Sequence, residues 1–304
     1  MATENNNQAV RTYQPQLKKL LQAVYQKQAY FREFFGGGLE ALDGVTFNEK
    51  AFSLKTSDIP SVIKTGDLKE APAYSTDANI AFGTGTSNSN RFGDRTEIIY
   101  DDTDVNYSWG WTFHEGIDRH SVNADLNAAV ADRLDLQAQG KVQMFDDAGG
   151  KFISASAGTI MTLADLTADN ITKLFNDLAA AYVNMEAIGT KLAWVTPEVY
   201  NALVDHPLTT SNKSSAANID TNGLLTFKGF TIRETPDAKF QTGEAIYTSI
   251  AGVGRQFTGI NTARTIESES FDGVALQGAG KAGEFILPAN KKAVAKVTLG
   301  ATGE

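Results

Sequence analysis

The sequence predicts an α+β fold, and three observations carry that expectation. Val105, Tyr107, Trp109, Trp111 and Phe113 alternate with Asn106, Ser108, Gly110 and Thr112, the period-two pattern of a half-buried strand. Two later stretches instead repeat their apolar residues at helical spacing. Residues 160–260 then read as helix, strand, helix, hairpin and strand in succession.

Taken in order, residues 1–10 are polar. From Pro15, a residue suited to a first helical turn, Leu17, Leu20, Leu21, Val24, Tyr25 and Phe31 fall near helical spacing until Gly36, Gly37 and Gly38 end the run. Little neighbouring sequence offers this stripe a core, so it is expected to dock elsewhere. The stretch to about Glu70 is mixed and extended, with Phe47, Phe52 and Leu54 as anchors.

Residues 81–100 read AFGTGTSNSNRFGDRTEIIY and resemble a phosphate cradle at first sight. The spacing rejects it. A P-loop needs a lysine after its second glycine, and no lysine lies between Lys69 and Lys141. A dinucleotide fingerprint needs a third glycine opening a helix, but Asn88 stands there, within a Ser-Asn-Ser-Asn run that favours turns. With the alternating residues 105–113, the segment instead reads as a long two-stranded excursion with a polar tip at Gly83–Gly93. An isolated hairpin is marginal in water, so a neighbouring chain is expected to support it.

Val122, Leu126, Ala129, Val130 and Leu134 then mark one face of a helix over 118–139, about 33 Å long, with Gly140 as its stop. Thr167 is placed to cap a second helix whose buried face is Ile171, Leu174, Phe175, Leu178, Tyr182 and Met185, closed by Gly189. KLAWV follows as a strand, and Thr196-Pro197 opens a short helix ending near His206, whose charge would favour the helix dipole. Residues 209–223 are loop-like. GLLTFKGFTIRETPDA forms two strands and EAIYTSI another.

Composition narrows the function classes. A chain of 304 residues with 42% hydrophobic and 21% charged residues buries a substantial core. It has no cysteine, so disulfides and thiolate chemistry are excluded. MATENNNQAV lacks the basic and apolar regions of a signal peptide, and no apolar run approaches the ~20 residues of a membrane span. The net charge is −9 with scattered basic residues, which argues against tight phosphate-backbone binding. His114-Glu115 and His120 lack the H-E-x-x-H spacing, and no G-x-S-x-G elbow occurs. Asp101-Asp102-Thr103-Asp104 lacks an EF-hand's spacing and glycine and reads as a solvated turn. No catalytic, cofactor-binding or metal residue is expected.

The order of these elements resembles the major capsid protein of tailed bacteriophages with the Hong Kong 97-type fold. The resemblance rests on Trp194-Val195-Thr196-Pro197-Glu198, a strand running into a short helix, and on the hairpin Leu224–Ile232, and it spans nearly the whole chain. It implies an N-terminal arm (1–70), an E-loop (73–113) lying over the adjacent subunit, a peripheral domain (114–158 and 262–304) with the spine helix 118–139, and an axial domain (160–260) meeting its equivalents at the centre of each hexamer or pentamer. Gly83, Gly85, Arg91 and Arg95 at the loop tip, and Leu17, Leu21 and Tyr25 in the arm, become the candidate intersubunit contacts. The loop has no lysine, so the covalent cross-link of some family members is not expected.

The implied partners are further copies of the chain in hexamers and pentamers, a portal, a separate scaffolding or decoration protein, and packaged double-stranded DNA bound without sequence specificity. No membrane and no cofactor are implied. The implied location is the virion capsid, assembled in the host bacterial cytoplasm. An encapsulin-type nanocompartment, a tail-tube subunit and a hydrolytic enzyme are the rival readings.

Overall fold

The computed structural model describes residues 29–42, 50–57, 98–122, 126–210, 217–220 and 223–300. Its elements run β1 (Leu39–Ala41), β2 (Lys50–Thr56), β3 (Asp101–Asn106), β4 (Trp109–Asp118), α1 (Leu126–Ser156), β5 (Thr159–Leu163), α2 (Ala168–Asn184), β6 (Lys191–Val195), α3 (Pro197–Val204) and α4 (Pro207–Thr210). Then follow β7 (Ala217–Asp220), β8 (Gly223–Phe227), β9 (Phe230–Glu234), β10 (Glu244–Ile250), β11 (Gly254–Glu267), β12 (Gly273–Ile286) and β13 (Ala295–Leu299). They divide into two compact units, one of Met1–Phe47 with Tyr107–Glu304, the other Asn48–Asn106.

The larger unit is built on two sheets. A seven-stranded sheet has the order β5-β13-β10-β6-β9-β8-β7, and a four-stranded sheet the order β1-β11-β12-β4. Strand β6, KLAWV, lies inside the larger sheet between antiparallel β10 and parallel β9. Its residues serve two cores: Ala193 and Val195 face a cluster with Ile171, Phe175 and Leu178 of α2, while Leu192 and Trp194 face one with Phe31, Phe34, Ile153 and Tyr247. A strand covered on both faces needs an unbroken apolar run, and KLAWV supplies it. Helix α2 buries Ile171, Leu174, Phe175, Leu178 and Tyr182, the face that its spacing predicts. Thr196 and Pro197 open α3 as expected.

The smaller unit is a two-stranded antiparallel sheet of β2 and β3, with Phe52 opposite Val105 and Lys55 opposite Asp102.

Several expectations are corrected. The long helix spans Leu126–Ser156, 31 residues or about 46 Å, and passes straight through Gly140. Gly140 has open space around it, so nothing there forces the chain to turn. Asp118 belongs to β4, not to the helix. The alternating run 105–113 is two strands: β3 stops at Asn106 and pairs with β2, while β4 pairs with β12. The partner of β3 therefore comes from residues 50–56, a stretch assigned by sequence to the arm. Likewise β13, in the stretch assigned to the peripheral domain, joins the seven-stranded sheet between β10 and β5.

Asp101–Asp104 lies in β3 rather than in a turn. His206 is buried; its Nδ1 accepts the Leu208 N–H (3.1 Å), and its Nε2 lies 2.9 Å from Thr172 Oγ1 and 3.0 Å from the Ala168 carbonyl oxygen. Its role is to tie α2 to the end of α3, rather than to act as an exposed helix-end charge.

Candidate assembly surfaces

The larger unit combines a rigid frame with exposed apolar side chains. The frame is clearest where residues 30–35 meet α1. Phe31, Phe34 and Phe35 are buried in the larger unit, packed on Ile153, Trp194 and Phe240. The Trp194 Nε1–H donates to the Tyr30 carbonyl (2.9 Å), the Phe31 N–H donates to Asp146 Oδ1 (3.0 Å), and Gly252 and Gly254 donate to the carbonyls of Glu33 and Phe34. This part of the expected arm is therefore core. Gly36, Gly37 and Gly38 then turn the chain with φ of 71°, 108° and 150°, values that side chains with a Cβ rarely adopt.

Two charged clusters lock the frame. Lys239 Nζ lies 2.5 Å from Asp147 and 3.4 Å from Asp146, and donates to the Gln143 carbonyl at 3.3 Å. Burial, as the largest influence, pushes the Asp146 carboxyl up, against the opposing pull of the Phe31 N–H and Lys239. In the second cluster, Glu244 receives Lys296 Nζ (2.7 Å), Ser154 Oγ (2.8 Å) and Tyr247 Oη (2.5 Å). Burial alone would raise its pKa, but these three donors more than offset that and hold it below the usual carboxylate range. Burial also raises Tyr247 and Tyr182, so both stay protonated donors. Sequence reasoning missed both clusters. The available signal was Gly149-Gly150 inside a helical pattern, which marks a close approach to the helix. A Cβ at Gly149 would meet Phe35 at 2.9 Å, and one at Gly150 would collide with the Lys239 carbonyl oxygen.

Apolar side chains are also exposed on the larger unit. Ile188 is 94% exposed, Val183 67% and Ile160 66%. A turn with Glu186 at φ 52° precedes Ile188, a backbone region that side chains other than glycine seldom occupy. In the smaller unit, Ile98, Ile99 and Tyr100 are exposed. Beside the backbone ladder, its strands carry polar cross-strand pairs: Lys50–Asp104 (2.5 Å), Lys55–Asp102 (3.3 Å) and Ser53–Asp104 (2.7 Å). Lys50, ahead of Ser53, draws the Asp104 carboxyl below its ordinary range. Exposed pairs like these contribute only about 0–1 kcal/mol each, so the hairpin gains little stability from them.

The groups considered for metal binding are engaged otherwise. Glu115 accepts Arg133 (2.5 and 2.9 Å) and Gln137, His114 contacts Gln277 (3.2 Å), and His120 lies 3.4 Å from Asp272. Among the described residues no cluster of metal-ligating side chains occurs. Gly83, Gly85, Arg91 and Arg95, and Leu17, Leu21 and Tyr25, lie outside the described residues.

No family model matches the chain, and no curated protein matches it by sequence. Solved structures do match it. The capsid of the cyanophage P-SCSP1u is similar with a TM-score of 0.63 at 10% identity, over 90% of this chain and 89% of that one. The mature capsid of bacteriophage PhiM1 gives 0.62 at 12% identity, over 91% and 88%. The SrpI encapsulin of Synechococcus elongatus PCC 7942 gives 0.50 at 10% identity, over 100% and 94%. With two sheets, a 31-residue helix and a separate two-stranded unit in this order, the chain has the α+β Hong Kong 97-type capsid fold.

Proposed function

We propose that the chain is the major capsid protein of a tailed bacteriophage, which self-assembles through hexamers and pentamers into an icosahedral shell around double-stranded DNA. The observation that carries this reading is the likeness to two phage capsids at TM-scores of 0.63 and 0.62 over about nine-tenths of both chains, above the 0.50 to the encapsulin. Copies of one chain in closed symmetry repeat each contact many times, so individually modest contacts suffice.

In this reading the unit Asn48–Asn106 is the E-loop. Its two strands are marginal alone, and a neighbouring subunit supplies the missing support through the tip carrying Gly83, Gly85, Arg91 and Arg95. The seven-stranded sheet with α2 and α3 is the axial domain, while α1 and the four-stranded sheet form the peripheral domain. The role is structural, not catalytic. A portal, a scaffolding or decoration protein and the packaged DNA are the proposed partners, and the net charge of −9 suits DNA held without tight binding. The proposed location is the virion capsid, with assembly in the host cytoplasm.

The encapsulin likeness, which covers the whole of this chain, favours a second reading as the shell of a nanocompartment. Negative-stain electron microscopy with sizing tests both. Closed shells, or rings of five and six that close with a scaffold, support the assembly reading. DNA in shells recovered from infected cells favours the phage, and an enzyme cargo favours the nanocompartment. A small oligomer under all conditions refutes both.

A further inference from the structure

Beside α1 lies a hollow of about 430 Å³ whose apolar wall includes Ala29, Phe31, Phe35, Leu39, Val142 and Phe145. Ala29 is the first described residue, so the 28 residues before it enter the larger unit at the wall of this hollow. Four residues upstream of Ala29 ends the stripe Leu17, Leu20, Leu21, Val24 and Tyr25. At 100° per residue these five fall within about 140° of one helical face, whereas Lys19 points to the opposite side. The base of the hollow is rigid, since the Phe31 N–H is bound to Asp146 and Phe31 and Phe35 are locked in the core. A short tether from a fixed point also gives the stripe a high effective concentration at its own hollow, of millimolar order.

We propose that the apolar stripe of residues 17–25 docks in this hollow of its own subunit, against half-buried Val142 and the wall formed by Phe35 and Phe145. Leu17, Leu21 and Tyr25 then complete the core beside α1 rather than gripping a neighbour. The occupant is the chain's own N-terminal segment, and the assembly reading is not needed for it.

The absence of cysteine makes the test clean. Full-length protein carrying Leu21→Cys and Val142→Cys is oxidised as unassembled subunits and, separately, as particles. The expected result is an intramolecular cross-link, seen as a faster-migrating monomer on a denaturing gel, forming at least tenfold faster than with Lys19→Cys and Val142→Cys. A ladder of covalent multimers overturns the proposal, because the stripe then seats on another copy. Equal rates for the two pairs, or no cross-link in a protein whose far-ultraviolet spectrum is unchanged, also overturn it. Micrographs of the same samples score shell formation independently, so failure of the assembly reading is read apart from this result.

Discussion

The two glycines Gly140 and Gly150 sit in the same helix, yet replacing each with alanine is expected to move stability in opposite directions. In a helix interior alanine is favoured over glycine by about 0.8–1 kcal/mol, from lower backbone entropy in the unfolded chain. At Gly140 a Cβ meets nothing within 4 Å, so Gly140→Ala should realise that gain. At Gly150 the Cβ collides with the Lys239 carbonyl oxygen and comes within 3.1 Å of the Phe31 ring. A backbone carbonyl cannot swing aside, so the turn Asp237–Lys239 must move away from α1, and Lys239 Nζ moves with it from Asp146 and Asp147. Overpacking costs about 1–3 kcal/mol, and a backbone obstacle that cannot rotate away sets it at about 2–3 kcal/mol, so that after the propensity gain a net loss of about 1–2 kcal/mol remains. The two variants should therefore differ by about 2–3 kcal/mol. Urea unfolding of unassembled subunits, followed by circular dichroism, reads this as opposite shifts of the midpoint at constant slope. If Gly150→Ala is as stable as Gly140→Ala, the packing of residues 30–35 and 237–239 against α1 is wrong.

Asp146→Ala leaves Lys239 with Asp147 alone and the Phe31 N–H without its acceptor; a loss of about 1–3 kcal/mol is expected, with hydrogen exchange at Phe31 losing its protection. Asp146→Asn should cost less, since an amide oxygen still accepts from Phe31 and burial already penalises the carboxylate's charge. Glu244 has a folded pKa below its unfolded value, so its contribution is complete above the ordinary glutamate range and is lost as pH falls through the depressed folded value. Glu244→Gln should therefore flatten the acid limb of a stability–pH profile, and an unchanged limb would rule out the Lys296, Tyr247 and Ser154 donors as the cause. Deleting residues 81–95 should leave the larger unit's thermal transition within a few degrees of the parent while preventing stable shells in micrographs. Normal shells from that deletion would remove the hairpin tip from the assembly contacts.

Much of the fold follows from local pattern. The face of α2 is legible because Ile171, Leu174, Phe175, Leu178 and Tyr182 repeat at 3.6 residues, and every one is buried. KLAWV reads as a strand, and its four consecutive apolar residues suit the inner position, covered on both faces, that the structure gives it. The α+β class and the order of helix, strand, helix and hairpin were likewise open to a reader of the sequence. Partners distant in sequence were not. Nothing local tells β3 to pair with residues 50–56 rather than with its nearer neighbours, or sends β13 to the seven-stranded sheet. Gly140 carries the same stop signal as any glycine at a helix end, but downstream Ile153 and the notch at Gly149-Gly150 reward continuing the helix. Phe31, Phe34 and Phe35 look unpartnered because Ile153, Trp194 and Phe240 lie more than a hundred residues away. Periodicity is set by backbone geometry within a few residues, and the sequence by itself determines it. Burial is a property of surfaces that meet only after the chain has closed long loops, so the charged locks and the position of residues 30–35 were decided by the tertiary structure alone.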